Sequence, residues 1–309
     1  MRYRPLGRTG LSVSALSLGT VSLGVDYGIA APEGFGCPDE ETAVRLVRAA
    51  FDRGVTLFDT APAYGAAERI VGRAIGRDPR AIIATKTPVF TKAVSGFSRT
   101  VIASAERSLR ELDRDVIDIL QLPNATCEMV EAPEATLALA DAKKRGLVRF
   151  LGATVYDEAA AQAIIKTGEY DTLQVAVSLL DQRKLRRILP AASSAGIAVI
   201  VRSALLKGVL TPKAQWLPEA LAPLRDAAAR ARDTLANGSW DRLPQTAMRF
   251  CLTVPHVASV LAGPRTIVEL DTAFEAEAAG PLDALVMARA AELAINDERL
   301  LNPSRWPVA

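Results

Sequence analysis

Asp39-Glu40-Glu41-Thr42-Ala43-Val44-Arg45-Leu46-Val47-Arg48-Ala49-Ala50-Phe51-Asp52-Arg53-Gly54-Val55-Thr56-Leu57-Phe58-Asp59-Thr60 holds two kinds of apolar pattern separated by one glycine. The first part is amphipathic and predicts a helix over Glu40–Arg53, with Asp39 as its N-cap and Gly54 just past its end. The second, Val55–Thr60, is continuously apolar until its last polar residues, as expected of a parallel strand covered on both faces. The same pattern recurs along the chain. Strand-like runs fall at Leu16–Thr20, Val55–Thr60, Ala81–Lys86, Ile117–Leu122, Arg149–Thr154, Thr172–Val177, Ile197–Ser203 and Val257–Gly263. Helical segments alternate with them at Ala66–Ile75, Ser98–Leu112, Glu134–Arg145, Asp157–Lys166, Gln182–Ala195 and Leu243–Leu252. Eight such units predict an α/β fold, a (β/α)8 barrel, with residues 1–309 forming one domain. A hairpin over Arg2–Ser14, turning at Gly7 and Gly10, precedes it. Spare length goes to Gly24–Pro38, to Leu206–Trp240 and to a tail after Ala279. A doubly wound nucleotide-binding fold is the alternative; no GxGxxG follows an early strand, and no composition shift marks two domains.

The counts narrow the chemistry. His256 is the only histidine, too few for HExxH metalloproteases and multi-histidine metal barrels, and a hydrolase triad would need that one imidazole at its site. It lies in Val254-Pro255-His256-Val257, where a loop or strand-entry residue is expected. Cys37, Cys127 and Cys251 are odd in number and far apart, so neither a disulfide framework nor a cysteine zinc site is expected, and no metal. Thirty-seven basic and 35 acidic residues argue against a nucleic-acid surface. The short clusters Lys143-Lys144-Arg145 and Arg183-Lys184 with Arg186-Arg187 read as solvated helix faces. No leader-like apolar segment follows Met1, and no run approaches a bilayer span, so a soluble cytoplasmic protein acting on a small molecule is expected.

In a barrel of this kind, chemistry gathers where the C-terminal ends of the strands meet the loops. The polar residues there are Thr20, Asp59, Tyr64, Lys86, Asn124, Thr154, Gln174, Arg202, Ser203 and Arg265. An ammonium beside a phenol favours the phenolate, and a carboxylate keeps that ammonium charged. Asp59, Lys86 and Tyr64 could thus tune the tyrosine for proton transfer in place of histidine. The same residues also read as a buried Asp–Lys pair that fixes strand register, with Tyr64 a partly buried loop aromatic.

From Leu6-Gly7-Arg8-Thr9-Gly10-Leu11 to the loop after the eighth strand, the chain resembles the aldo-keto reductases. The most specific stretch is Phe58-Asp59-Thr60-Ala61-Pro62-Ala63-Tyr64-Gly65, with Glu68 and Gly72 after it. Ala84-Thr85-Lys86, Ser108-Leu109-Arg110, Ile117–Leu122 and Val260–Arg265 support it. The resemblance implies a barrel that binds NADPH, usually in preference to NADH, and transfers a hydride to a carbonyl. Tyr64 would be the general acid, tuned by Lys86 and Asp59. The implied cofactor contacts are Thr20, Asp59, Thr154, Gln174, Arg202, Ser203, Leu205, Gly208, Gly263, Arg265, Thr266 and Glu269. Arg265 and Thr266 match the positions that grip the 2′-phosphate, which suits a guanidinium fork.

The sequence also departs from the family. Where a histidine is usual after the fourth strand, it reads Leu122-Pro123-Asn124, and proline has neither a side-chain donor nor an N–H. Asn124 could replace the lost donor through its amide. Thr154-Val155 stands in place of Ser-Asn beside the nicotinamide, and Glu269 and Ala273 in place of Gln and Asn beside the adenine. The leading expectation is NADP(H)-dependent reduction of an aldehyde or ketone in a small or specialised metabolite. Alternatives are reduction of an activated C=C, a non-redox lyase or isomerase step through Lys86, and a nucleotide-binding protein without turnover. Glycoside hydrolysis needs two facing carboxylates, and only Asp59 qualifies. Substrate choice should rest with the loops at 24–38, 87–97, 124–132 and 206–240.

Overall fold

Strands that are apolar on both faces must be covered on both, and the chain does this by closing its sheet on itself. The computed structural model describes residues 1–32, 35–90 and 96–306. Among them, β1 (Tyr3–Pro5) and β2 (Ser12–Ser14) form an antiparallel hairpin. Eight parallel strands follow: β3 (Leu16–Gly19), β4 (Leu57–Asp59), β5 (Ile82–Lys86), β6 (Ile117–Leu122), β7 (Val148–Val155), β8 (Thr172–Ala176), β9 (Ala198–Arg202) and β10 (Val257–Ala262). Each pairs with its successor, and β10 returns to β3 with Val260 opposite Leu16, closing the barrel. All eight expected strands are present, with ends shifted by a few residues. The opening helix runs Glu40–Asp52; Asp39 accepts from the Thr42 amide, and Gly54 takes the left-handed conformation (φ 94°) that ends it.

Inside the barrel, Leu57, Ala84, Ile119, Ala198 and Ile200 form one apolar cluster with Leu6 and Val13 of the hairpin segment. The hairpin therefore plugs one end. Gly7 has no side chain because a Cβ there would lie 2.7 Å from the Ala198 nitrogen. Two larger clusters fill the space between the sheet and its outer helices.

Three expectations change. Gln182–Ala195 is not one helix but a 3-10 turn at Arg183–Leu185 and a helix at Ile188–Ser194. Pro190 is the reason: its ring would strike the carbonyl four residues back if the helix began earlier. Lys184 is not on a solvated face. It is 1% exposed and bonded to Asp181 at 2.9 Å, with Arg183 on the same carboxylate at 2.8 Å. The stretch Leu206–Trp240 contains a helix at Ala222–Leu235, and the tail contains helices at Ala284–Ala291 and Glu298–Leu301. Gly34 and the centre of the 87–97 loop, at 91–95, lie outside the described residues. No helix among the described residues is long and apolar enough to cross a membrane.

Candidate active site

Side chains alternate across a strand, so the residue two beyond an interior apolar one also faces inward. This rule turns the apolar cluster into a polar layer one step nearer the C-terminal mouth. Leu57 is followed by Asp59, Ala84 by Lys86, Ile119 by Gln121 and Ile200 by Arg202. Gly152 leaves room in that layer, since a Cβ there would sit 2.9 Å from the Gln121 Cγ.

Asp59 and Lys86 are each 5% exposed. Lys86 Nζ donates to Asp59 Oδ2 at 2.7 Å and to the Thr60 carbonyl at 3.0 Å. Gln121 and Gln174 both donate through Nε2 to Asp59 Oδ1 at 2.8 Å. Gln174 also reaches Gln121 Oε1 at 3.2 Å. The carboxylate thus meets donors at both oxygens. The Lys86 ammonium lies over the Tyr64 ring, 5.0 Å from its centroid. Burial alone would lower the lysine's pKa, but Asp59 and Tyr64 outweigh it and hold it above its ordinary value. Lys86 is therefore a charged donor at neutral pH, and the free amine that a Schiff base requires is disfavoured.

The turn carrying Tyr64 is fixed through its backbone. The Tyr64 amide donates to the Ala61 carbonyl, and the Ala67 amide to the Tyr64 carbonyl. A Cβ on Gly24 would overlap the Tyr64 carbonyl, and one on Gly65 would overlap the Gly24 carbonyl, so the two glycines let these segments interlock. Thr20 is fully buried and donates from both its amide and its hydroxyl to the Asp59 carbonyl at 3.0 Å.

Other expected residues line the rim. Pro123 is buried, whereas Asn124 is exposed at φ 48° with its backbone amide on the Thr154 hydroxyl at 2.8 Å. The Arg202 guanidinium stacks 4.0 Å over the Tyr156 ring and donates to the Val155 carbonyl at 3.2 Å. Ser203 has φ 61°, Leu205 caps a 3-10 turn at Leu206–Gly208, and Gly208 has φ 104°. Across the mouth, Gly263 is exposed, and its carbonyl accepts from Ser22 Oγ at 3.2 Å. Thr266 caps the helix Ile267–Ala278, and Arg265 is held by Glu269 through its amide (2.8 Å) and Nη2 (3.1 Å). Arg265 Nη1 is buried without a hydrogen-bond partner among the described residues. This free donor fits an anionic phosphate, although Glu269 competes for the same guanidinium.

Sequence reasoning missed Gln121. Its signal is the period-two step from Ile119, masked by Asn124, the more obvious polar residue past that strand. It also did not single out Tyr27, whose side chain is 38% exposed with its ring 5.6 Å from the Lys207 ammonium. The exposed His256, at φ 65°, lies in the turn before β10, at the end of the barrel away from the mouth, as a loop residue should.

The model of the Aldo/keto reductase family matches residues 15–295. Aldo-keto reductase YhdN of Bacillus subtilis (strain 168) is 31% identical over 224 residues, 69% of this chain and 65% of the relative. L-galactose dehydrogenase of Arabidopsis thaliana is 28% identical over 285 residues, 88% of this chain and 86% of the relative. NADH-specific methylglyoxal reductase of Escherichia coli (strain K12) is 29% identical over 231 residues, 68% and 69% of the two chains. The holo form of aldo-keto reductase AKR11C1 from Bacillus halodurans superposes with a TM-score of 0.79 at 26% identity, covering 99% of this chain and all of that one.

Proposed function

This chain belongs to the aldo/keto reductase family of oxidoreductases, and we propose that it uses NADP(H) to reduce the carbonyl of a small or specialised metabolite, with Tyr64 as proton donor. The observation that carries this reading is the buried Lys86 ammonium, bonded to Asp59 and lying over Tyr64.

A reduced nicotinamide, when bound, supplies the hydride. Tyr64 gives its hydroxyl proton to the substrate's carbonyl oxygen, and the adjacent ammonium of Lys86 stabilises the phenolate left behind. Asp59 keeps Lys86 charged, and Gln121 and Gln174 keep Asp59 from turning. Asn124, exposed at the rim, offers an amide donor in place of the one that Pro123 lacks. Arg265 through Nη1, with Thr266, suits a 2′-phosphate, and this supports NADP(H). Glu269 opposes it by holding the guanidinium. Ser203, Leu205, Gly208 and Gly263 line the remaining cofactor surface, with the buried Thr20, Thr154 and Gln174 supporting it from beneath. Residues 1–309 act on this reading as one domain, in the cytoplasm.

The test is to titrate the protein with NADPH and NADH by fluorescence, then follow cofactor absorbance with aldehydes, ketones and enones. Tyr64→Phe should lower turnover by about 10²–10⁴ while leaving nucleotide binding intact. Failure to bind either nucleotide refutes the proposal. Pro123 favours one second reading: with a carbonyl donor lost, reduction of an activated C=C becomes the better-served reaction, and faster turnover of enones than of aldehydes selects it.

A further inference from the structure

Arg202 carries a charge that no acidic residue among the described ones neutralises. It ends β9 two residues after Ile200, so its side chain enters the mouth on the same face as Asp59, Lys86 and Gln121. Its Nη2 is bonded to the Val155 carbonyl and its plane rests on Tyr156, but its Nε is buried with no hydrogen-bond partner. Asp181 is already engaged, since it holds both Arg183 and Lys184. Lys184 itself lies below its ordinary value because of burial, with Arg183 and Arg202 adding to the effect, so Arg202 stands in a cationic neighbourhood.

The guanidinium also shares its surroundings with the proton donor. Lys86 of that layer lies 5.0 Å from the Tyr64 ring, and the Tyr27 hydroxyl is within electrostatic reach of Tyr156, Arg202 and Tyr64. Tyr27 is held there by its loop: Gly28 has φ 111°, and the Lys207 ammonium lies 5.6 Å from the Tyr27 ring. A guanidinium that is partly buried, unpaired and one hydrogen bond short is costly unless an anion completes it.

We propose that Arg202 is a specificity-determining residue that anchors a carboxylate borne by the substrate close to its carbonyl, so that the enzyme selects 2-oxo acids over neutral carbonyl compounds. The family resemblance groups this position with the cofactor loop, and a cofactor phosphate has the same oxyanion chemistry. What favours the substrate is the place of Arg202 in the inward layer that holds Asp59 and Lys86, with Lys86 lying over Tyr64. The inference rests on reading Tyr64 as the carbonyl's proton donor.

The probes are oxamate, an anionic 2-oxo acid analogue, and its neutral counterpart oxamide, titrated calorimetrically into NADP⁺-loaded and cofactor-free protein. Oxamate should bind more tightly than oxamide. Arg202→Gln should cut the affinity for oxamate about 10- to 100-fold, the worth of one charge-assisted hydrogen bond, and abolish the preference. Arg202→Lys, which keeps the charge and loses the fork, should fall between, and it decides the matter if Arg202→Gln does not fold. Equal binding of the two probes, or no oxamate binding, overturns the proposal. So does a variant that loses NADP⁺ affinity while keeping its preference for oxamate, because the guanidinium then serves the cofactor. A protein that turns over no carbonyl yet keeps an Arg202-dependent oxamate preference supports the anchor and refutes the reductase reading alone.

Discussion

Removing the charge of Asp59 without changing its size tests whether the polar layer acts as one unit. In Asp59→Asn the side chain has one oxygen where two are needed. Asp59 Oδ1 takes Gln121 and Gln174, and Oδ2 takes Lys86, so every partner is a donor. If the new NH2 faces Lys86 it meets another donor, if it faces Gln121 and Gln174 they must turn their own oxygens toward it, and in either case Lys86, 5% exposed, loses its counter-charge. Breaking a buried pair from one side costs about 3–5 kcal/mol, a large part of the 5–15 kcal/mol that typically stabilises a folded chain. The assay is urea unfolding followed by circular dichroism for the wild type, Asp59→Asn, Lys86→Met and the double variant. The double variant should be more stable than Asp59→Asn alone, because methionine removes the orphaned charge, and the cycle should show coupling of about 2 kcal/mol or more. A loss below about 1 kcal/mol in Asp59→Asn, or strict additivity in the double variant, refutes the reasoning.

The same variant should reverse a pH dependence. In the wild type the folded Lys86 lies above its ordinary value, because Asp59 and Tyr64 outweigh burial. Its stabilisation is therefore whole below the unfolded lysine value of ~10.4 and is lost as pH climbs through the folded value. Without the Asp59 charge, burial dominates and the folded value drops below the unfolded one. Asp59→Asn should then gain stability with rising pH in the window between the lowered value and ~10.4, where the wild type gains none.

Pro123→His should raise turnover of simple aldehydes, by up to about 10²–10³ if the imidazole supplies a full oxyanion donor; unchanged rates would show that no donor is missing there. Glu269→Gln removes the carboxylate that holds Arg265 and should tighten NADPH about 2- to 5-fold relative to NADH, as for other rim ion pairs. Fluorescence titration reads this, and an equal change for both nucleotides argues against a 2′-phosphate at Arg265. Gly24→Ala forces a Cβ against the Tyr64 carbonyl and 2.9 Å from the Ala67 nitrogen. It should lower kcat about 10²-fold by displacing the tyrosine, with NADPH affinity retained; wild-type kcat would mean the turn gives way elsewhere.

The barrel was legible because its cause is local. Eight runs such as Val55–Thr60 are apolar on both faces, and each is bounded by a readable cap or glycine, so neither pairing nor neighbours need be known to recognise them. Asp59, Lys86 and Tyr64 were legible for a similar reason, since they stand at or just past strand ends. Gln121 was not, because its importance comes from register. Lys86 pairs opposite Gln121 across β5 and β6, while Gln174 reaches the same carboxylate from 115 residues away. The period-two step from Ile119 puts Gln121 on the inward face, but nothing in Ile117–Leu122 shows that Asp59 lies within its reach. Lys184 misled for the converse reason: its neighbours Arg183, Arg186 and Arg187 suggested a wet face, and only the buried Asp181 beneath it explains why the lysine turns inward.

The rim connects the two departures that matter most for substrate. The segment after β6 is tied to the end of β7 by the Asn124 amide on the Thr154 hydroxyl and the Ala125 amide on the Thr154 carbonyl, both at 2.8 Å. The next carbonyl on β7, that of Val155, takes Arg202 from β9. The strand end that fixes Pro123, where a neutral donor is lost, thus also fixes Arg202, a guanidinium at the mouth with no counter-ion among the described residues. A carbonyl oxygen held by Tyr64 with only the exposed Asn124 amide beside it is weakly polarised and poorly oriented. A substrate whose carboxylate is caught by Arg202 has a second point of attachment, and binding energy from that remote group can hold the carbonyl against Tyr64. Loss of the donor at Pro123 should therefore be felt most by neutral aldehydes and least by 2-oxo acids. Pro123→His and Arg202→Gln should then shift substrate preference in the same direction, toward neutral carbonyls, and opposite shifts would separate the two residues.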